Sequence, residues 1–282
     1  MTIPVHTLGD YLDLLAEQNL LAAPIPDGLD RSQRVTGLTC DSRQVAPGTL
    51  FIRKGAHFQT KFLEMARDQG AMACVSQEED TVPGLPRIAI TDTRKVLAPL
   101  ADRFYDHPSG KVKVIGITGT KGKSSTAYYL KYILDEYLAE QGGPESGIIS
   151  SIDTYDGVER FESHLTTPEP LDLERHFANG VATGMRYLTM EVSSQALKYD
   201  RVKNVEFAAA VFLNIGMDHI SPIEHPDFED YFASKLRIFS QAAAACVNLD
   251  CDHAQRVLEA AQAAGAPIIT FSQKDPAAQV YA

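Results

Sequence analysis

A glycine-rich turn followed by a lysine and two serines is the first stretch of this sequence that could carry chemistry. Residues 112–126 read VKVIGITGTKGKSST, with Gly119, Gly122, Lys123 and Ser124 at its centre. Glycines let backbone N–H groups converge on an anion, and a helix N-terminus adds unpaired donors and partial positive charge. In such a loop the lysine reaches the β- and γ-phosphates of a nucleotide, and the Ser124 hydroxyl ligates Mg²⁺. The stretch predicts an ATP site; a turn that merely starts a helix is the alternative.

The elements around this turn match a phosphate loop, with one irregularity. A β-branched run predicts a strand before the turn, and periodic apolar residues predict an amphipathic helix after it. The expected apolar face consists of Leu130, Ile133, Leu134, Tyr137 and Leu138. The strict loop pattern requires a glycine five positions before Gly122, where the chain has Ile117, and Gly116 comes one position too early.

Two further predicted strands end in polar side chains that could bind the same ligand. Residues 187–192 include Glu191, and residues 207–215 include Asn214, with His219 a few positions later. Ligands of open α/β sheets bind at the carboxyl ends of the strands, and the glycine turn opens at that edge. The residues expected to meet there are Lys123, Ser124, Glu191, Asn214 and His219.

A lysine on an apolar helical stripe is the next candidate. Residues 228–239 place Phe228, Tyr231, Phe232, Leu236 and Phe239 on one face of a helix, and Lys235 falls on that face. A buried lysine is rare unless it is paired or functional. The alternative is a packed stem whose ammonium group reaches solvent.

Composition restricts the classes of partner. A net charge of −11 argues against nucleic acid, because phosphate backbones require basic surface. The four cysteines lack CxxC spacing, the N-terminus lacks signal-peptide features, and no apolar run reaches membrane-spanning length. We expect a cytoplasmic monomer that binds small molecules and neither a membrane nor nucleic acid.

Strands that alternate with helices predict an α/β protein of two domains. The composition of His107–Gly110 is that of a linker, so we expect a small N-terminal α/β domain over 1–108 and a P-loop-type α/β domain with a mostly parallel central sheet over 109–282. The α/β rhythm stops after Ser272, so we expect the second domain to be incomplete at its C-terminus.

Several motifs, in sequence order, resemble those of the Mur ligase family, and within it the branch that adds the third amino acid to UDP-MurNAc-dipeptide. Segments 41–43 and 47–51 resemble its uridine-nucleotide signature, and 116–125 its ATP loop, which accounts for the early glycine. Segments 166–168, 190–194 and the later Arg201 resemble its substrate and metal segments. Asn214, Asp218-His219 and Lys235 resemble the block that ends in the family's modified lysine.

The resemblance implies roles for individual residues. The cofactor-binding residues would be Gly119, Thr120, Gly122, Lys123, Ser124, Ser125 and Asn214. The metal ligands would be Ser124 and Glu191 for one Mg²⁺, and His219 with Lys235, as a carbamate, for the second. Ser42 and His57 would contact the uridine nucleotide, which makes 1–108 the UDP-MurNAc-binding domain. Thr166, Thr167, Ser193 and Arg201 would hold the muramyl-dipeptide. The catalytic residues would be Lys123, Lys235 and His219.

The implied activity is ATP-dependent addition of L-lysine or meso-diaminopimelate to UDP-MurNAc-L-Ala-D-Glu, through an acyl phosphate, in peptidoglycan synthesis. The family's third domain, which holds the amino-acid pocket, has no counterpart in these residues, so we expect this chain to be an inactive fragment. Lys121, Ser124-Ser125, Gln195 and Tyr199 depart from the family pattern, and the last two put the details of muramyl recognition in doubt. The alternatives are a ligase similar to folylpolyglutamate synthase and a non-catalytic nucleotide-binding module.

Overall fold

The computed structural model describes residues 6–218, 220–222 and 224–282, and its internal contacts divide the chain into two compact units. One unit ends at Asp106 and the other begins at His107. The segment that we interpreted as a linker is partly ordered, because Pro108–Gly110 forms a 3₁₀ turn that packs against a helix of the second unit. No helix in the described ranges has the length and apolar character needed to cross a lipid bilayer.

The first unit is a small α/β domain. Its elements are α1 (Leu8–Glu17), β1 (Gly37–Thr39), β2 (Thr49–Ile52), α2 (Thr60–Asp68), β3 (Ala73–Ser76), β4 (Arg87–Ala89) and α3 (Thr93–Phe104). The four strands pair in parallel and in sequence order. Helix α1 begins with a capping box, in which the Thr7 hydroxyl accepts the Asp10 N–H and the Asp10 carboxylate accepts the Thr7 N–H.

The second unit contains the predicted ATP loop. Its strands are β5 (Lys113–Thr118), β6 (Gly147–Ile149), β7 (Asp153–Tyr155), β8 (Arg160–Glu162), β9 (Tyr187–Glu191), β10 (Phe207–Phe212), β11 (Ala245–Asn248), β12 (Ile268–Ser272) and β13 (Val280–Tyr281). Its helices are α4 (Lys123–Ala139), α5 (Pro170–Ala182), α6 (Ser194–Lys198), α7 (Phe228–Leu236) and α8 (Ala254–Ala263). The strands form one sheet in the order β13-β12-β11-β10-β5-β9-β6-β7-β8.

This sheet is parallel except at one edge, so the predicted α/β class with mostly parallel sheets is confirmed. Strands β7 and β8 form an antiparallel hairpin at the edge, which the sequence analysis missed because both strands are only three residues long. Alternate residues of β5 enter two separate cores. Val114 joins the large core with Phe177 of α5, whereas Ile117 packs with Ala127 of α4. Helices therefore cover both faces of the central strands.

The early glycine of the ATP-loop motif lies inside strand β5. A Cβ on Gly116 would lie 2.7 Å from the Phe207 ring, which is closer than van der Waals contact permits. Gly116 is therefore explained by packing between β5 and β10.

The predicted apolar face of α4 is partly wrong. Ile133 and Tyr137 are 66% and 45% exposed, whereas Ala127, Lys131 and Leu138 are buried. Lys131 occupies an inward position because its ammonium group pairs with Asp135 of the same helix. The Asp135 carboxylate also accepts the backbone N–H of Ser146 at 2.7 Å, so a polar contact ties α4 to the segment before β6. Apolar periodicity could not predict a buried ion pair on this face.

Candidate functional site

The ATP loop connects the end of β5 to the start of α4, as predicted. Gly122 has a φ of 84°, a left-handed conformation that glycine adopts without strain, and it directly precedes the first helical residue, Lys123. The first N–H groups of a helix have no partner within the helix. The loop therefore offers backbone donors, the positive end of α4 and the ammonium group of Lys123 to an anion.

Asn214, from the end of β10, holds the loop in shape. Its side-chain oxygen accepts the Lys121 N–H at 2.9 Å, and its side-chain amide donates to the Lys121 carbonyl at 3.0 Å. The Asn214 carbonyl also accepts the Thr120 N–H at 3.1 Å. We expected Asn214 to bind the nucleotide; the contacts that it makes within the protein are with the backbone of the loop.

Lys123 and Lys235 meet inside the loop. The Lys123 ammonium group donates to the carbonyl oxygens of Gly119 at 3.0 Å and Thr120 at 3.2 Å. The Lys235 ammonium group donates to the same Gly119 oxygen at 2.9 Å and lies 4.8 Å from the centre of the Tyr231 ring. The structure thus brings together two of the sequence-predicted residues that come from distant helices.

Burial changes the acid–base properties of both lysines. Lys235 is 1% exposed, and its burial, with a smaller contribution from the charge of Lys123, lowers its pKa from 10.5 to about 7. Burial also lowers the pKa of Lys123, while the carboxylates of Glu191 and Asp218 oppose that shift. A neutral amine is therefore accessible to Lys235 near neutral pH, as carbamate formation requires.

Three oxygen-bearing side chains gather beside the loop. The Ser151 hydroxyl lies 3.2 Å from the Ser124 hydroxyl and donates to the Glu191 carboxylate at 3.1 Å. The backbone N–H of Ser151 donates to the same Glu191 oxygen at 2.8 Å. Hydroxyl and carboxylate oxygens are the hard donors that Mg²⁺ prefers, so this set of residues fits that ion.

Sequence reasoning missed Ser151, although a usable signal existed. Ser151 follows β6 at the carboxyl edge of the sheet, the same location that led us to Glu191 and Asn214. Asp218, whose charge acts on both Lys123 and Lys235, was noted in a motif without a role. His219, the predicted ligand of a second Mg²⁺, lies outside the described residues.

The predicted substrate residues of the second unit form one cluster next to Glu191. The Thr167 hydroxyl donates to the Glu191 carbonyl at 3.0 Å and accepts the Ser193 N–H at 3.0 Å. Arg201 donates to the Thr167 carbonyl at 3.4 Å and pairs with Glu169 at 3.0 Å. Thr167 is buried and bonded to backbone, whereas its neighbour Thr166 is only half-buried. Thr166, Ser193 and Arg201 therefore retain more surface for a ligand than Thr167 does.

The predicted uridine residues lie in the first unit. Ser42 is buried and begins a 3₁₀ turn, Ser42–Gln44, that packs against α2, and its hydroxyl contacts the Met65 sulfur at 3.8 Å. The turn is capped by Asp41, whose carboxylate accepts the Arg43 N–H and pairs with the Arg43 guanidinium. His57 is exposed in the loop between β2 and α2.

Fold and site together define an α/β protein that carries a phosphate-type loop at the carboxyl edge of a mostly parallel sheet. Residues 117–282 match the family model described as the Mur ligase middle domain. The chain belongs to the Mur ligase family.

Curated relatives agree with this assignment, and a solved structure shares the fold. The chain is 44% identical to UDP-N-acetylmuramoyl-L-alanyl-D-glutamate--L-lysine ligase of Enterococcus faecalis, across 99% of this chain and 55% of that protein. It is 40% identical to UDP-N-acetylmuramyl-tripeptide synthetase of Bifidobacterium longum, across 95% of this chain and 53% of that protein. The fold resembles a solved UDP-N-acetylmuramoyl-L-alanyl-D-glutamate--2,6-diaminopimelate ligase, with a TM-score of 0.76, 22% identity, and coverage of 99% of this chain and 54% of the other. The chain thus spans about half the length of the curated relatives it matches.

Proposed function

We propose that the protein containing this chain is an ATP-dependent ligase that adds an amino acid to UDP-MurNAc-L-alanyl-D-glutamate in peptidoglycan synthesis. The observation that carries the proposal is the contact of Lys123 and Lys235 with one carbonyl of the ATP loop. L-lysine is the favoured amino acid, because the Enterococcus faecalis relative at 44% identity is named for it. All four cysteines are free thiols, which is consistent with the cytoplasm as its compartment.

The ATP loop supplies positioning and positive charge. The N–H groups at the start of α4 and the Lys123 ammonium group would bind the phosphates, and Asn214 would keep the loop backbone in its binding shape. Ser124 and Glu191 would hold one Mg²⁺, with Ser151 orienting the carboxylate. Mg²⁺ bound there would neutralise charge on the phosphoryl oxygens.

Lys235 has the properties of a lysine that reacts with CO₂. Its neutral amine would form an N–C bond to CO₂ and release one proton, which leaves a carbamate with a carboxylate-like pair of oxygens. Burial favours the neutral amine, as the pKa of about 7 indicates. The carbamate and His219 are the proposed ligands of a second Mg²⁺.

The proposed chemistry has two steps. The terminal carboxylate of the dipeptide attacks the γ-phosphorus of ATP, the bond to ADP breaks, and an acyl phosphate forms. The neutral amine of the incoming amino acid then attacks the acyl carbon, phosphate leaves, and the nitrogen loses a proton. Thr166, Thr167, Ser193 and Arg201 are the proposed contacts of the muramyl-dipeptide. Ser42 and His57 of the first unit are the proposed contacts of its uridine nucleotide.

A coupled assay on the complete gene product tests the proposal. We expect ADP release only when UDP-MurNAc-dipeptide and an amino acid are both present, with L-lysine preferred over diaminopimelate. ADP release that depends on a folate and glutamate would instead identify a ligase similar to folylpolyglutamate synthase. Nucleotide binding without turnover for any of these acceptors would identify a non-catalytic module.

A further inference from the structure

A chain of hydrogen bonds that passes through a buried histidine links α6 to α7. His225 is fully buried; its Nδ1 lies 2.6 Å from an Asp230 carboxylate oxygen and its Nε2 lies 2.9 Å from the Ser194 hydroxyl. Lys198 donates to the same Asp230 oxygen at 2.6 Å. With its proton on Nδ1, the imidazole donates to Asp230 and accepts from Ser194, so both ring nitrogens are satisfied.

Serine, histidine and aspartate in this order also form the hydrogen-bonded set of a serine nucleophile. Here Ser194 is 4% exposed and lies at the start of α6, where the preceding Ser193 caps the helix. A substrate cannot reach a hydroxyl that is covered in this way. The set therefore fixes the position of the imidazole and does not attack a substrate.

The fixed imidazole packs against Tyr231. The two rings meet edge to face with their centres 5.2 Å apart, and Tyr231 is fully buried. The Tyr231 hydroxyl lies 3.1 Å from the Thr120 hydroxyl of the ATP loop. The Thr120 oxygen also accepts the Gly216 N–H at 3.0 Å, so one side chain joins the loop to α7 and to the segment after β10.

We propose that Tyr231 and His225 are positioning residues for the nucleotide: the imidazole fixes the tyrosine ring, and the tyrosine hydroxyl holds Thr120 so that the N–H groups of the loop point at the phosphates. This role rests on the ATP site proposed above. A loop that is held in its binding shape before the nucleotide arrives loses less conformational freedom on binding. Neither residue touches the nucleotide; each acts through Thr120.

Isothermal titration calorimetry of the complete gene product with Mg-ADP tests whether Tyr231 and His225 affect nucleotide binding. Tyr231→Phe removes one oxygen atom, and we expect the dissociation constant to rise about fivefold, the usual effect of one lost hydrogen bond. Thr120→Val removes this contact and also the bond from Gly216, so it should weaken binding at least as much. The double variant should bind no more weakly than Thr120→Val alone, because the Tyr231 hydroxyl acts only through Thr120. His225→Gln should weaken binding in the same direction. Tyr187→Phe is the matched control, since Tyr187 is the first residue of β9 and the ATP loop lies at the other, carboxyl end of the strands.

Amide hydrogen exchange provides a readout without nucleotide. Exchange at Gly216 should accelerate in Tyr231→Phe with little change in the melting temperature, and it should accelerate in His225→Gln as well. Tyr187→Phe should leave the exchange rate at Gly216 unchanged. Retained Mg-ADP affinity in Tyr231→Phe, or fully additive losses in the double variant, would overturn the inference and leave the ATP site intact. No Mg-ADP binding by the unaltered protein would overturn the ATP site itself, and this role of Tyr231 with it.

Discussion

Lys123 and Lys235 donate hydrogen bonds to the same acceptor, the carbonyl oxygen of Gly119. Two ammonium groups this close repel each other, and the charge of Lys123 contributes to the low pKa of Lys235. A phosphate that draws Lys123 away from that carbonyl would leave the bond from Lys235 in place. The arrangement would connect nucleotide binding to the state of the lysine that we propose to carry CO₂.

Substitution of Lys123 tests the phosphate contact. We expect Lys123→Ala to lower the ligase rate by at least about a hundredfold, because the variant loses the ammonium group that begins α4 and that we propose to contact the phosphates. ADP release by the complete gene product measures the ligase rate. Lys111→Ala is the control, since that lysine lies before β5. Near-normal turnover in Lys123→Ala would contradict the assignment.

Chemical rescue tests the carbamate. Lys235→Ala should be inactive, and added formate or acetate should restore part of the activity, because a small carboxylate can occupy the space of the missing carbamate. The rescue should saturate with carboxylate concentration, whereas Lys123→Ala should show none. A Lys235→Ala enzyme that no carboxylate restores would leave Lys235 as a structural residue.

Lys235 should also make stability depend on pH. Its pKa is lowered from 10.5 to about 7 in the folded state, so between these values the unfolded chain binds more protons. The free energy of unfolding should therefore rise with pH across this window, at up to about 1.4 kcal/mol per pH unit from this group. Denaturant unfolding in CO₂-free buffer measures the slope. Lys235→Met should lack it and should be the more stable protein below pH 7; identical slopes in both proteins would contradict the pKa.

Asp156 should anchor the edge hairpin to α5. Burial alone would raise its pKa, but hydrogen bonds from His176, Asn179 and the backbone of Val158 and Glu159 outweigh burial and lower the pKa to about 2. Asp156→Ala should cost about 3 kcal/mol, since it leaves buried donors without an acceptor. The stabilisation should be complete above pH 4 and decline as the pH falls toward 2. A denaturant series at pH 7 and pH 3 would show whether the cost shrinks in acid.

Ser151 should affect the requirement for Mg²⁺. Ser151→Ala keeps the backbone N–H bond to Glu191 but removes the hydroxyl between Glu191 and Ser124. The Mg²⁺ concentration for half-maximal activity should rise several-fold while ATP affinity at saturating Mg²⁺ changes little. Ser240→Ala, an exposed serine on a 3₁₀ turn, is the control. An unchanged Mg²⁺ requirement would exclude Ser151 from the metal site.

Local sequence patterns predicted most of the fold and part of the candidate site. Sequence patterns predicted the glycine loop, the strand ends at Glu191 and Asn214, and the position of Lys235 on a buried helix face. Each of these features depends on spacing within one element. Residues 130–138 were misjudged because Lys131 enters the interior only through its pairing with Asp135. The contacts of Tyr231 with Thr120 and of Ser151 with Ser124 join segments that are distant in sequence. Such pairings depend on tertiary packing, which single-sequence periodicity does not report.

The shape of the ATP loop depends on Asn214, which is not part of the loop sequence. The shape of the loop is held by a side chain that follows the carboxyl end of another strand, so the loop has this form only when β5 and β10 are paired. A peptide of residues 112–139 would contain every residue of the motif but would lack the hydrogen bonds from Asn214. The loop sequence alone is therefore not sufficient. Grafted into another scaffold, it should fail to bind phosphate unless Asn214 and strand β10 are included.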